Sequence, residues 1–271
     1  MTSRFQDFSA QEFAKTIDTN FGDMLRMMRN IPEASYYEEP GLCRLVSGLQ
    51  HPFANMIWGG AFSEDTAHSG VQSALSPIIE NNLPAFWILG TNATPENLPE
   101  LLISAGLSHV GDMAGMAIDL NANTSIPIPR GITFREVLND EDLVTWTDVL
   151  ARGYELPYEV ANLFSSLAGC YGLDRSSVIR LFLAELDGVP SACSMLTRFD
   201  DVAGIYCVAT LPEARNHGLG AVVTSGLLLV AKQCGYRVVV LQASPMGNPV
   251  YRRIGFKEFG TMSIYMRQPA T

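Results

Sequence analysis

Residues 206–242 confine this chain more tightly than any other stretch. They set down an apolar run, Pro212, the string Arg215-Asn216-His217-Gly218-Leu219-Gly220, an apolar helical segment and a second apolar run. Residues 205–210 read as a strand and 221–233 as a helix, which leaves 215–220 as the turn between them. At such a turn the backbone N–H groups of Gly218, Leu219, Gly220 and Ala221 can converge on an anion. Gly218 and Gly220 permit positive φ and close backbone approach, and Arg215 adds a guanidinium suited to a diphosphate. Asn216 and His217 complete the loop; the imidazole can add charge beside a phosphate or simply face solvent.

Two common phosphate loops do not fit the spacing. A Walker loop needs Gly-Lys-Ser or Gly-Lys-Thr, which the chain lacks, and the third glycine of a dinucleotide fingerprint is replaced by Val223. What remains is R-x-x-G-x-G between a strand and a helix. Downstream, after a strand at 237–242, come Ala243-Ser244-Pro245-Met246-Gly247-Asn248-Pro249-Val250 and then Tyr251-Arg252-Arg253-Ile254-Gly255-Phe256.

Together, in this order, the two motifs resemble the GNAT superfamily of acyl-CoA-dependent N-acyltransferases, with its Q/R-x-x-G-x-G/A loop and Y-x-x-x-G-F second motif. The resemblance implies acetyl-CoA as cofactor, held by Arg215 to Ala221, and Tyr251 as general acid. It also implies that the backbone of Val208 and Thr210 pairs with the pantetheine arm, and that Ser244 and Asn248 contact the cofactor near the second motif. The chemistry agrees for Tyr251: a phenol of pKa about 10 can protonate a departing thiolate of pKa about 8.5 in a concerted transfer. No general base stands out. Glu155, Glu159, Glu185 and Asp201 are candidates equally suited to surface or capping roles, and family members often use a water relay. Glu213 is expected to order the turn, and Arg252 and Arg253 to form a solvated helix face.

The rest of the chain bounds this reading. Its 271 residues suffice for two domains, and 47% apolar with 17% charged residues is a globular composition. A net charge of −10 disfavours nucleic acid and favours a cationic acceptor, a small-molecule or peptide amine. No apolar run is long enough for a membrane helix, residues 1–20 lack a signal layout, and a cytoplasmic location is expected. Cys43, Cys170, Cys193, Cys207 and Cys234 are dispersed, as for reduced thiols, and no metal site is expected. The sequence does not decide between monomer and homodimer.

Residues 121–129 are polar, small and proline-punctuated, and read as a linker. Beyond them, strand 132–137, helices 140–153 and 157–170, a hairpin turning at Asp187-Gly188, strand 202–210 and the motif segments follow the GNAT order through a last strand at 257–266. In the first half, Gly106-Leu107 falls on Gly255-Phe256, and strand 85–89 on strand 237–242. On that alignment Leu102 stands at the place of Tyr251, and Ala67-His68-Ser69-Gly70, ahead of an apolar helix, lacks both arginine and paired glycines. The expected fold class is therefore α/β (α+β), with two tandem GNAT-like domains, each a mixed, mostly antiparallel sheet flanked by helices. A degenerate copy would span 1–122 and the acetyltransferase domain 131–271. The expected function is acetyl transfer from acetyl-CoA to a primary amine; the alternative is a non-catalytic acyl-CoA-binding or regulatory module.

Overall fold

A computed structural model describes residues 9–121 and 131–270; the expected linker lies almost wholly outside the described residues. The first half runs α1 (Ala10–Met27), β1 (Ser35–Glu39), β2 (Leu42–Val46), β3 (Asn55–Gly59), α2 (Glu64–Glu80), β4 (Ala85–Leu89), α3 (Leu98–Ser104) and β5 (Ser108–Asp119). The second runs β6 (Ile132–Glu136), α4 (Asp140–Tyr154), α5 (Tyr158–Tyr171), β7 (Ile179–Leu186), β8 (Val189–Phe199), β9 (Val202–Thr210), α6 (Leu219–Gln233), β10 (Val238–Ala243), α7 (Asn248–Ile254) and β11 (Lys257–Arg267).

Local chemistry sets many of these bounds. Ser9 and Glu12 form a reciprocal capping box at the start of α1, and Asn139 caps α4 ahead of Asp140, Glu141 and Asp142. Asp187 and Gly188 both take positive φ, the signature of a two-residue type I′ turn, and join β7 to β8 as expected. One expectation is corrected. Helix α2 already begins at Glu64, so Ala67 to Gly70 lie inside it and form no turn. Gly70 is small because a Cβ there would come within 2.4 Å of the Phe62 ring.

The two tandem sheets merge into one of eleven strands, ordered β1-β2-β3-β4-β11-β5-β10-β9-β8-β7-β6. The halves exchange strands at the join: β5 of the first half pairs antiparallel with β10, while β11 of the second pairs antiparallel with β4. At the centre β5 and β11 pair with each other from Lys257↔Ala117 to Met266↔Ser108. Arg237 reinforces the join, its Nη2 donating to Asp119 Oδ2 at 2.7 Å. Among the named strands of the described residues, β3/β4 and β9/β10 are the parallel pairs.

Helices α1, α4 and α5 cover one face, where Ile17, Phe21, Trp146 and Leu167 belong to the largest core. The other face is covered by α2 and α3 over the first half and by α6 and α7 over the second. Fully buried Trp146 also donates from Nε1 to the Ser194 carbonyl at 3.0 Å, fixing α4 across β8. Helix α1 belongs to the first half yet crosses onto β9 and β10 of the second. Among the described residues no helix is long and apolar enough to cross a membrane.

Candidate functional site

Parallel pairing of β9 with β10 runs through Val238↔Val202, Val239↔Ala203 and Val240↔Gly204 and then stops, although β9 continues to Thr210 and β10 to Ala243. The strands part beyond Gly204. On its other edge β9 stays paired with β8, with one irregularity: Cys193 faces Ala209 and Met195 faces Tyr206, so the intervening stretch of β9 bulges. Cys207 sits in that bulge at φ 53°, a conformation costing a non-glycine residue about 1 kcal/mol or more. Beyond Gly204 the edge of β9 that carries Val208 and Thr210 is no longer paired with β10, and such a parting leaves room for another extended chain.

The loop of Arg215 to Gly220 stands at the end of this opening. Asn216 (φ 68°) and Gly218 (φ 85°) take left-handed conformations, and Gly218 leads directly into α6. The first backbone bond into the helix is donated by the Val222 N–H to the Gly218 carbonyl at 3.0 Å, so the N–H groups of Leu219, Gly220 and Ala221 point outward from the helix start. No side chain caps them. A Cβ at Gly220 would find only Thr210 Oγ1, at 3.9 Å, so the space above the helix end is open. Arg215 donates from Nη2 to the Gly153 carbonyl at 3.2 Å, tying the loop to the end of α4. The His217 Nδ1 lies 3.0 Å from the Arg215 carbonyl, which it can reach only as a donor, and the ring is otherwise exposed. Glu213 pairs with Arg152 of α4, in keeping with a role in ordering the turn.

Tyr251 comes from α7 on the opposite wall. Its side chain is buried, with 8% exposed, and its ring meets Phe256 edge-on at 6.0 Å. A Cβ at Gly247 would come within 2.8 Å of the Tyr251 ring, so that glycine makes the room the phenol occupies. Burial pushes the hydroxyl up to about 12. Ser244 Oγ accepts the Gly247 N–H at 3.2 Å and so shapes the turn into α7. The Asn248 side chain accepts from Arg252 Nε at 2.7 Å, and Arg252 in turn bridges to Glu258. Of the carboxylates weighed as bases, Glu185 is held by Arg135 at 2.6 Å, and Glu155 forms the left-handed cap of α4.

Three features of the opening had no signal in the sequence. Asn20 of α1 is buried, accepts the Tyr206 hydroxyl at 2.6 Å and lies on Gly204, where a Cβ would come within 2.2 Å of its Oδ1. The first half thus braces the point where β9 and β10 part. Tyr154, one residue beyond the expected end of its helix, also lies at the opening. Burial holds its hydroxyl well above the ordinary phenol value, with smaller contributions from Cys207, Tyr251 and Cys193. The third is a contrast between the halves. Between β3 and β4 no opening forms: the pairing resumes at Ala61↔Thr94, with the Thr94 N–H donating to the Gly60 carbonyl at 2.8 Å and the Phe62 N–H to the Thr94 carbonyl at 3.1 Å.

Residues 143–256 match the family model described as Acetyltransferase (GNAT) family. Among solved structures, a GCN5-related N-acetyltransferase from Kribbella flavida superposes with a TM-score of 0.69 at 18% identity, covering 95% of this chain and 96% of that one. One from Sphaerobacter thermophilus gives 0.63 at 16% identity, covering 85% and 82%. A tandem GNAT protein from the clavulanic acid biosynthesis pathway gives 0.57 at 12% identity, covering 89% and 85%. No curated protein matches the sequence.

Proposed function

We propose that this protein transfers an acetyl group from acetyl-CoA to a primary amine, with Tyr251 as general acid, on the strength of the match of residues 143–256 to the GNAT acetyltransferase family model. The observation that carries the reading is the convergence on one opening of an uncapped helix start at Leu219, a parted strand pair at Gly204/Val240 and a buried phenol at Tyr251. Acetyl-CoA, when bound, supplies the activated acetyl thioester. The start of α6 and Arg215 hold its diphosphate; the backbone of Val208 and Thr210 aligns the pantetheine arm; and Tyr251 keeps a proton at its Oη for the departing sulfur.

Burial raises Tyr251 to about 12, and a thiolate leaving into the same dry opening is desolvated too, which raises its own affinity for a proton. The match between the two groups is therefore set by the shared environment and not by their values in water. Because the acid works only when protonated, kcat is expected to show no fall attributable to Tyr251 as pH rises to 10. A pH–rate profile with an alkaline limb near pH 8 that disappears in Tyr251→Phe would contradict this assignment.

The acceptor amine must lose its own proton, and a water relay serves where no carboxylate is in place. One acetyl-CoA per chain follows, because the first half, read as a degenerate copy, uses Gly60, Phe62 and Thr94 to close its own strand pair.

Gly220→Asp tests the cradle. Aspartate in the first turn favours the helix by about 0.3–1 kcal/mol yet repels a diphosphate. The Tm is expected to hold or rise while calorimetry shows acetyl-CoA affinity falling about 100-fold; unaltered affinity would place the cofactor elsewhere. Thiol release assayed over polyamines, amino acids, aminoglycosides and basic peptides then tests turnover, and its absence with every amine would favour a binding module.

A further inference from the structure

The opening at Tyr251 has a second wall, built by both halves. Phe53, in the short turn Pro52–Ala54 ahead of β3, meets Phe86 of β4 edge-on at 5.1 Å. On its other side it lies 6.5 Å from the ring of Tyr154, at the end of α4. His51 stacks on Phe53 at 5.8 Å, its Nδ1 accepting the Phe53 N–H at 3.3 Å. That bond fixes a neutral tautomer with Nδ1 as acceptor, which removes His51 as a base through that atom.

Tyr154 is 45% exposed. Phe53 is likewise open, at 38%. Gly153, next to Tyr154, packs so closely on β9 that a Cβ would come within 2.8 Å of Ala209 and 3.3 Å of the Thr210 nitrogen, which fixes the end of α4 against the parted strand.

We infer that this aromatic wall, Phe53 and Phe86 from one half and Tyr154 from the other, is the acceptor-recognition surface, and that it selects a monoamine bearing an aromatic ring. The inference rests on the acetyl-transfer reading of the same opening. Stacked and edge-on rings hold a flat apolar group, and the electron-rich ring faces attract a single ammonium before it is deprotonated. The net charge of −10 draws such a cation towards the molecule.

The test is calorimetric titration of the full chain with 2-phenylethylamine and with spermidine, with and without saturating CoA, in the unmodified protein, Phe53→Ala and Phe53→Tyr. 2-Phenylethylamine is expected to bind saturably and at least about 10-fold more tightly than spermidine. Phe53→Ala should weaken it about 10-fold and Phe53→Tyr should restore it, with the affinity for CoA unchanged in both variants. Unaltered CoA affinity also shows that the variants fold. Spermidine binding as tightly as 2-phenylethylamine, 2-phenylethylamine affinity unmoved by Phe53→Ala, or no saturable aromatic binding while CoA binds normally would each overturn the inference and leave acetyl transfer standing. Loss of CoA binding by the unmodified chain would instead overturn the acetyl-transfer reading, while the amine titrations would still decide the wall.

Discussion

Tyr251→Phe is expected to lower kcat about 100-fold while leaving the dissociation constant of acetyl-CoA within about 2-fold of its original value, in line with the 10²–10⁴-fold typical of a positioned acid. The ring packs against Phe256 and fills the space that Gly247 leaves open, and phenylalanine preserves both contacts. Only the hydroxyl is removed, so the cofactor contacts proposed for the loop and β9 are expected to persist. KM for the acceptor should change little, because a group acting on the departing sulfur contributes in the transition state and not in ground-state binding. An equal rise in both Michaelis constants with kcat unchanged would mean that the hydroxyl only helps to hold substrate. An unchanged rate would remove the residue from the chemistry.

The second large effect concerns the whole second half. Residues 131–271 produced alone are expected to be insoluble or unfolded and to bind no acetyl-CoA, and co-production with residues 1–122 is expected to restore both. The reason is the strand exchange. Alone, β10 loses its antiparallel neighbour over Val238 to Ala243, and β11 loses both of its neighbours. Those ladders join strands that carry buried Met116, Ala117, Val239, Val240, Met262 and Tyr265. Exposing that surface and its unpaired backbone exceeds the roughly 5–15 kcal/mol by which a domain is stable. Circular dichroism and calorimetry on the isolated fragment check this; a folded fragment that binds acetyl-CoA unaided would show that the exchanged strands are dispensable.

What could be read from the sequence and what could not divides along the range of the interactions. The loop of Arg215 to Gly220, the turn at Asp187-Gly188 and strand 85–89 were legible because left-handed glycines and short apolar runs are local signals. The exchange of β5 and β11 was not. Which edge each strand joins depends on residues more than a hundred positions away. Gly70, expected ahead of an apolar helix, lies inside one, where the absence of a side chain serves a close contact with Phe62. Asn20, Phe53 and Tyr154 carry no motif, and only the crossing of α1 and the placing of the Pro52–Ala54 turn bring them to the opening.

The central position of β11 also bears on the order in which the protein forms during synthesis. The edge of β4 meets its partner only after residues 257–267 have emerged, so the first half spends most of translation with that edge bare. Contacts of such long sequence separation slow folding and prolong the exposure of an aggregation-prone strand. The exchange that ties the opening to its neighbouring half is therefore expected to make the nascent chain dependent on chaperones, and faster synthesis or overproduction at high temperature is expected to raise the insoluble fraction.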